Sequence, residues 1–364
     1  MSIEVETLEQ FDARGGDLRG CFVQSIDLRD RTAELVSARV SSALFLGCRL
    51  EPRAERSLRA HGALIFPRLP SLPFDPYRSR LYRPEELYSG LERAGYAKCP
   101  DARIYHWYES ASRPLDLEHT LAAALHDQAI GDALDELCGD ESRAATYGVM
   151  GGHGTQRGTS EYTLAATLGA RLASRGATVV TGGGPGTMEA VNLGALVGRR
   201  GPELDAAVAA LAAVPSFRPS IDAWARLALD VRAAVTPGDG VSLGIPTWFY
   251  GHEPPNVFAT HVAKFFNNAL REETLLDRCW GGIIYLPGAA GTVQEIFQAV
   301  TPNYYFDPEK TRPVIPLVLV GAHYWTQSVP AWPLVQALGA GRAMGRSAFL
   351  VDSLEDALGV LGLH

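Results

Sequence analysis

Residues 177–197 read ATVVTGGGPGTMEAVNLGALV, which is a β-branched run, a glycine-rich turn and then a helical pattern. A glycine-rich connection of this kind places backbone N–H groups at a helix N-terminus, where the helix dipole favours an anion. Glycine also lets the backbone approach a phosphate closely. The stretch therefore predicts a strand–loop–helix unit with phosphate-binding residues Gly183, Gly184, Gly186 and Thr187. For one such loop alone, a tight turn without a ligand is an equally good interpretation.

A second stretch, residues 281–300, has the same organisation, with a strand, the loop PGAAGT and a helix. Gly288, Ala289, Gly291 and Thr292 are its candidate phosphate- or nucleotide-binding residues. Two such loops on strands of one sheet are much rarer by chance than one. Neither loop continues with the Lys-Ser/Thr of a Walker A motif, and neither reads Gly-x-Gly-x-x-Gly cleanly. The pair therefore favours a mononucleotide over a magnesium-bound triphosphate or a dinucleotide.

Short strands alternate with helical patterns from about residue 144 onward. The predicted strands are 145–150, 177–181, 240–245, 281–286, 314–320 and 348–351. Such alternation implies right-handed crossovers and a parallel sheet with helices on both faces. The predicted fold is α/β, a Rossmann-like doubly wound parallel sheet, in which ligands bind beyond the carboxyl ends of the strands.

The pattern changes near residue 141. Residues 1–140 are predicted to form an N-terminal extension or a small α+β domain of unknown role, without a repeat of 20–50 residues. Residues 141–364 are predicted to form the nucleotide-binding domain. Within it, residues 257–278 predict one long helix that begins after two prolines and an asparagine.

The net charge and the cysteine content of the chain indicate which classes of partner it is expected to bind. The net charge is −8, which disfavours a nucleic-acid-binding protein because such proteins normally present a basic surface. The cysteines are odd in number and lack a Cys-x-x-Cys pair, which favours a reducing cytoplasm over disulfides or zinc. They are Cys21, Cys48, Cys99, Cys138 and Cys279. The N-terminus lacks an apolar signal segment, and no apolar run reaches the ~20 residues that cross a membrane. We expect no metal, no membrane and no nucleic acid.

Glu295 follows Thr292 by three residues and lies one helical turn beyond the second loop. A carboxylate there is suited to activate water or to stabilise a cationic sugar at C1′, as in glycosidic bond cleavage. A first-turn glutamate that only complements the helix dipole is the alternative. Arg271 is a candidate to hold the phosphate or to pair with Glu295. A surface salt bridge to Glu272 or Glu273 is equally plausible.

Further candidates follow the first and third strands of the predicted domain. His153 and Arg157 lie in the loop after the first strand, where His153 is better interpreted as a loop residue than as a base. Trp248, Phe249 and Tyr250 follow the third strand. One of these aromatic rings is placed to stack on a base, although core packing is the more frequent role.

Residues 181–189 (TGGGPGTME) and 287–295 (PGAAGTVQE) resemble the paired signatures Gly-Gly-Gly-x-x-Gly-x-Met and Pro-Gly-Gly-x-Gly-Thr-x-x-Glu of the LOG ("Lonely Guy") family of nucleotide phosphoribohydrolases. The resemblance covers roughly residues 144–320. It implies a Rossmann-like fold, a homodimer or higher homo-oligomer, and hydrolysis of a nucleoside 5′-monophosphate to free base and ribose 5-phosphate. The catalytic Glu of the family falls on Glu295 and its catalytic Arg on Arg271.

The chain departs from the family pattern in three ways. Ala289 replaces the second glycine of Pro-Gly-Gly, and the Arg-Lys pair of the family reads Arg271-Glu272. Aligning Arg271 also needs one extra residue before the fourth strand. A non-catalytic nucleotide or alarmone sensor is therefore the alternative function, and the negative charge disfavours a DNA-processing module. Pyridoxal phosphate would need a lysine with which to form a Schiff base, and no lysine lies in either glycine loop. We therefore expect no cofactor. The lysines are Lys98, Lys264 and Lys310.

Overall fold

The computed structural model describes residues 3–69, 71–111, 116–139, 143, 145–238, 240–251, 253–309 and 313–363. The chain divides into two compact units. The smaller contains Met1–Arg80 and Ser110–Ala133, and the larger contains Leu81–Glu109 and Leu134–His364. Residues 81–109 therefore pack with the larger unit, although they precede the boundary predicted near residue 141. That residues 1–140 form a domain with its own role stays a prediction.

The smaller unit is built on four parallel strands within residues 3–69, in the order β1-β2-β3-β4. The strands are β1 (Ile3–Val5), β2 (Cys21–Gln24), β3 (Leu44–Leu46) and β4 (Leu64–Phe66), and the intervening helices are α1 (Leu8–Ala13), α2 (Thr32–Ser37) and α3 (Pro52–Ala60). Each strand is followed by a connection that returns the chain to the same end of the sheet. Apolar side chains of strands and helices fill the interior between them.

Paired residues of neighbouring strands are 18 positions apart for β1–β2, 22 for β2–β3 and 20 for β3–β4. Around β2 and β3 the offset of 22 extends to the bridged partners Asp17 with Arg39 and Asp27 with Arg49. The backbone is left-handed at the equivalent positions Gly20 and Ser42, and again at Ser25 and Gly47. These offsets differ from one strand pair to the next, so they do not define a fixed period. The absence of a repeat of 20–50 residues stays a prediction.

The larger unit contains seven parallel strands among the described residues. They are β5 (Thr146–Met150), β6 (Thr178–Thr181), β7 (Ser242–Gly244), β8 (His261–Val262), β9 (Gly282–Tyr285), β10 (Leu317–Val320) and β11 (Ala348–Val351). Their order is β11-β10-β9-β5-β6-β7-β8, which confirms the doubly wound parallel sheet. The order reverses between β5 and β9, where the crevice for a ligand opens in sheets of this type.

The remaining helices follow β4 in the chain, and those from residue 160 onward cover both faces of this sheet or connect its strands. They are α4 (Pro84–Leu87), α5 (Leu91–Ala94), α6 (Pro100–Ser110), α7 (Leu117–Leu137), α8 (Ser160–Ala173), α9 (Thr187–Val197), α10 (Gly201–Leu211), α11 (Ile221–Ala234), α12 (Asn268–Asp277), α13 (Ala290–Tyr304), α14 (Trp332–Gly339) and α15 (Leu354–Val360). Residues 117–133, in the longest of these helices, belong to the smaller unit. No described helix is both long and apolar enough to cross a membrane. No disulfide joins the cysteines of the described chain.

Residues 257–278 do not form the single helix predicted from their periodicity. The chain first adds the short edge strand His261–Val262 beside β7, and only Asn268–Asp277 is helical. The Asn267 side chain fixes the helix start by accepting hydrogen bonds from the second and third N–H groups after it, at 3.0 and 3.2 Å. The prediction was wrong because apolar residues at these spacings suit either a helix or a buried edge strand.

Helices α8 and α9 pack with their backbones in contact, which anchors the helix that follows the first glycine loop. A Cβ on Gly194 of α9 would lie 1.8 Å from the carbonyl oxygen of Ala166, and one on Gly169 of α8 would lie 2.1 Å from that of Val191. Both separations are impossible without moving a helix. The close packing therefore depends on these two glycines.

We expect Gly194→Ala to lower the free energy of unfolding by about 1–3 kcal/mol, because the added methyl group overpacks the α8–α9 contact. Gly131→Ala on α7 is the matched control, since no described atom lies within 4 Å of its added Cβ. The control should raise stability by about 0.5–1 kcal/mol through helix propensity. Urea unfolding of both variants measures the difference, and a stabilised Gly194→Ala protein would contradict the backbone contact.

Candidate functional site

The structure brings both glycine loops to one edge of the large sheet. The first loop joins β6 to α9, and the second joins β9 to α13. The loop after β5 lies between them and bonds to both. The N–H of Gly152 donates to the carbonyl of Pro287 at 3.1 Å, and the N–H of Thr187 donates to the carbonyl of Gly152 at 3.1 Å. The two predicted loops are therefore neighbours across the point where the strand order reverses.

The first loop is buried, and its glycines are required by close packing. Gly183 and Gly186 have φ values of +71° and +73°. A Cβ on Gly186 would lie 2.6 Å from the carbonyl oxygen of His153. The hydroxyl of Thr187 is 2.9 Å from that of Thr155 and is only slightly exposed. This loop therefore shapes the floor of the site, with little of its own surface open to solvent.

Asn256 supports the first loop, and the sequence analysis did not identify it. Its N–H donates to the carbonyl of Gly183 at 2.8 Å, and its Nδ2 donates to the carbonyl of Gly184 at 3.1 Å. Nδ2 also donates to Oδ1 of Asn192 at 2.9 Å, and Asn192 in turn accepts from the Thr181 hydroxyl. The only sequence signal at this position was the proline pair before it, which was interpreted as a helix start.

The second loop is open to solvent, in contrast to the first. Ala289 and Gly291 are exposed, whereas Gly288 and Thr292 are buried. Helix α13 begins directly after Ala289, whose side chain cannot cap it, so its first N–H groups are available for an anion. Ala289 has φ −91°, a value that any residue adopts, so its methyl group fits where the LOG pattern has glycine.

Arg271 and Glu295 lie together, as two candidate catalytic residues should. Nη1 of Arg271 is 3.6 Å from Oε1 of Glu295, and the side chains are 11 % and 12 % exposed. A Cβ on Gly182 would lie 3.2 Å from Nη2 of Arg271, so the first loop leaves room for the guanidinium. The buried Nε of Arg271 has no hydrogen-bond partner among the described residues. The pair therefore retains an unused donor beside the loop.

Burial dominates the electrostatics of Glu295. It raises the pKa of this carboxyl to about 7, with Arg271 opposing the shift and the charges of Glu272 and Glu253 adding to it. Glu272 lies where the LOG pattern has a lysine, and it is held by the amides of Asn268 and Gln294. A carboxyl with a pKa near neutrality is suited to exchange a proton during turnover.

His153 and Glu253 form a second charged pair at this edge. Nδ1 of His153 is 3.1 Å from Oε1 of Glu253, and the imidazole is 54 % exposed. A Cβ on Gly184 would lie 3.5 Å from Oε2 of Glu253, which places this carboxylate beside the first loop. His153 also lines a cavity of about 250 Å³. The cavity is further lined by Gln156, Pro185, Phe217, Arg218 and Trp224.

Arg157 does not face this cavity as a free cation. It is almost fully buried and bonds through Nε and Nη2 to the carboxylate of Glu189. Its Nη1 donates to the carbonyls of Val214 and Trp224 at 3.3 and 3.2 Å. The side chain therefore ties the connection between α10 and α11 to the first turn of α9.

Of the three aromatic residues that follow β7, one lies in the core and two lie at the surface. Trp248 is buried and donates from Nε1 to Asp101 at 2.9 Å, which is a packing role. Phe249 and Tyr250 are each 44 % exposed and meet edge to face at 5.1 Å. Lys264 is buried in an ion pair with the same Asp101 at 2.7 Å, which also places it in a structural cluster.

Residues 144–199, which contain β5, β6 and the first glycine loop, match the SLOG cluster4 family. The molybdenum cofactor binding protein from the phototrophic bacterium Rippkaea orientalis is similar at 15 % identity, over 60 % of this chain and 94 % of that one, with a TM-score of 0.37. The curated proteins gave no match. The SLOG superfamily includes the LOG family, so the match over residues 144–199 agrees with the resemblance that the two loops indicated.

Proposed function

We propose that the protein hydrolyses the N-glycosidic bond of a nucleoside 5′-monophosphate and releases free base and ribose 5-phosphate. The observation that carries this proposal is the contact between Glu295 and Arg271, 3.6 Å apart and almost buried, beside an uncapped helix N-terminus. An N-terminus of this kind is suited to a phosphate. A carboxylate one turn further is suited to a cationic sugar. The reaction needs neither a metal nor a redox cofactor.

Each candidate residue has a role in this proposal. Gly288, Ala289, Gly291 and Thr292 bind the phosphate at the start of α13, and Gly183, Gly184, Gly186 and Thr187 form the floor beneath it. The ionised carboxylate of Glu295 stabilises positive charge at C1′ and takes a proton from the attacking water. Arg271 holds the phosphate or orients Glu295, which lies 3.6 Å from its Nη1.

The assay is the release of base from a panel of nucleoside 5′-monophosphates, separated chromatographically. Release that vanishes in Glu295→Gln supports the proposal. Tight binding of a nucleotide without any release would overturn it.

A nucleotide or alarmone sensor is the second candidate. The observation that favours it is Glu272, because this second carboxylate lies 3.9 Å from Nη1 of Arg271, which is also 3.6 Å from Glu295. In a sensor, Glu295→Gln would leave nucleotide binding intact and there would be no reaction to lose. Isothermal titration with the same nucleotide panel distinguishes the two candidates.

The active form is proposed to be a cytoplasmic homodimer or higher homo-oligomer, following the resemblance to the LOG family. Light scattering coupled to size-exclusion chromatography measures the mass directly. A monomer at micromolar concentration would contradict this part of the proposal.

The pH dependence of the reaction should follow Glu295. The carboxylate must be ionised to accept a proton, so kcat/KM should rise as the pH passes through about 7. In Glu272→Gln a like charge is removed, which lowers the pKa of Glu295 and moves this limb to lower pH. Glu273→Gln, an exposed neighbour, should leave the profile unchanged. A limb that does not move in Glu272→Gln would contradict the electrostatic coupling.

A further inference from the structure

Departure of the base requires a proton donor that the residues above do not provide. When the C1′–N bond breaks, its electron pair moves onto a ring nitrogen, and an unprotonated base is a poor leaving group. Glu295 receives a proton from water in this step, and the guanidinium of Arg271 does not titrate. A third group must therefore deliver the proton on the side of the base.

The His153–Glu253 pair has the geometry of such a donor. Glu253 contacts Nδ1 of His153 at 3.1 Å, so the opposite ring nitrogen, Nε2, is left for the substrate. Glu253 also lies beside Gly184, and its charge acts on Glu295, which places the pair close to the reacting end of the site. The imidazole is 54 % exposed, so it can be protonated again from solvent after each turnover.

The cavity that His153 lines is suited to the base. Phe217 and Trp224 supply flat apolar surface, and the amide of Gln156 supplies a neutral donor and acceptor. The buried carboxylate of Glu189 at the cavity is neutralised by Arg157, so it does not repel a heterocycle. A volume of about 250 Å³ is below the range of whole drug-sized ligands and suits a single ring system.

We propose that His153 is the general acid that protonates the departing base, that Glu253 is its positioning residue, and that this cavity holds the base. The inference rests on the proposed function. As C1′–N breaks, the base nitrogen takes the Nε2 proton of the imidazolium. Water adds to C1′ and gives a proton to Glu295. Exchange with solvent then reprotonates His153 and deprotonates Glu295.

The test compares two leaving groups. One substrate is a purine nucleoside 5′-monophosphate, and the other is 4-nitrophenyl riboside 5-phosphate, whose nitrophenolate departs without a proton. In His153→Gln, kcat should fall about 10²–10⁴-fold for the nucleotide and less than about 10-fold for the nitrophenyl substrate. Glu253→Gln should show the same selectivity with a smaller loss. Gln156→Ala should raise KM for the nucleotide more than for the nitrophenyl compound.

Equal losses on both substrates in His153→Gln, with thermal unfolding unchanged, would overturn the assignment, since a structural role cannot distinguish leaving groups. His153→Asn serves as a second variant of this exposed residue. A wild-type protein that is inactive on both substrates would instead remove the proposed function, and the inference with it.

Discussion

Glu295→Gln is expected to lower the rate of base release by about 10²–10⁴-fold, with nucleotide binding little changed. Gln keeps the shape and neutral hydrogen bonding of the side chain but cannot accept a proton or balance positive charge at C1′. The expected loss is therefore in kcat rather than in KM. Single-turnover release of base measures it, and Glu273→Gln on the exposed face of α12 is the matched control. A residual rate within a few-fold of wild type would remove Glu295 from the mechanism.

The same variant should reveal the cost of keeping this carboxylate buried. Folding raises the pKa of Glu295 from 4.5 to about 7, so the folded state binds its proton more tightly than the unfolded state. The resulting stability is complete below pH 4.5 and is lost as the pH rises through 7. Because Gln cannot ionise, the variant does not lose this stability as the pH rises. We expect the stability of Glu295→Gln relative to wild type to increase by about 3 kcal/mol between pH 4.5 and 8.

Urea unfolding at the two pH values measures this change. Glu273→Gln is again the control, because its exposed carboxyl should give a difference that does not vary between them. A difference for Glu295→Gln that stays constant with pH would show that the carboxyl is not destabilised by burial. The expected stability effect of Glu295→Gln therefore depends on the desolvation of this carboxyl.

Arg157→Ala is expected to lower the free energy of unfolding by about 3–5 kcal/mol. The substitution leaves the carboxylate of Glu189 buried without its partner, and both side chains of this pair are only 1 % exposed. It also removes the donors to the carbonyls of Val214 and Trp224. Because Trp224 lines the cavity proposed for the base, nucleotide binding should weaken in the same variant.

Two comparisons separate this effect from ordinary loss of a salt bridge. Arg171→Ala breaks an exposed pair with Glu355 and should cost no more than about 1 kcal/mol. Replacing both partners, Arg157→Met with Glu189→Leu, should cost less than Arg157→Ala alone, because no uncompensated charge remains. If Arg157→Ala were as mild as Arg171→Ala, the buried pair would not hold the α10–α11 connection.

Local patterns were sufficient to predict each described strand of the large sheet except β8, together with its glycine loops. Short runs rich in apolar residues mark β5, β6, β9 and β10, in which every residue except Thr178 is buried. The glycine-rich loops after β6 and β9 were predicted from the same local sequence patterns. Because parallel strands end at one edge, their order along the chain already implied that both loops face one crevice. The nearness of Arg271 to Glu295 was among the expectations from this placement.

The edge strand of the large sheet and the residues that support the candidate site could not be predicted from local sequence patterns. Both depend on contacts between segments that are distant in the chain. The spacing of the apolar residues 262, 265 and 266 is compatible with a helix as well as with a strand. The segment begins as a strand because Val262 pairs with β7. Nothing in the sequence around Asn256 indicates that it supports a loop, yet its side chain donates a hydrogen bond to the first glycine loop, more than seventy residues earlier in the chain. The parallel pairing of the small sheet is likewise a property of the folded backbone, since its offsets of 18, 22 and 20 residues follow no fixed period in the sequence.

The two glycine loops, their common edge and the position of Glu295 one turn beyond the second loop were determined by the sequence alone, because backbone periodicity and glycine content are local properties. The chemistry of that glutamate was decided by tertiary structure. Its pKa near 7 depends on burial and on charges contributed by α12 and by the segment around residue 253. The same is true of His153, whose partner Glu253 lies a hundred residues away in the chain. Desolvation and charge pairing arise only when distant segments pack together.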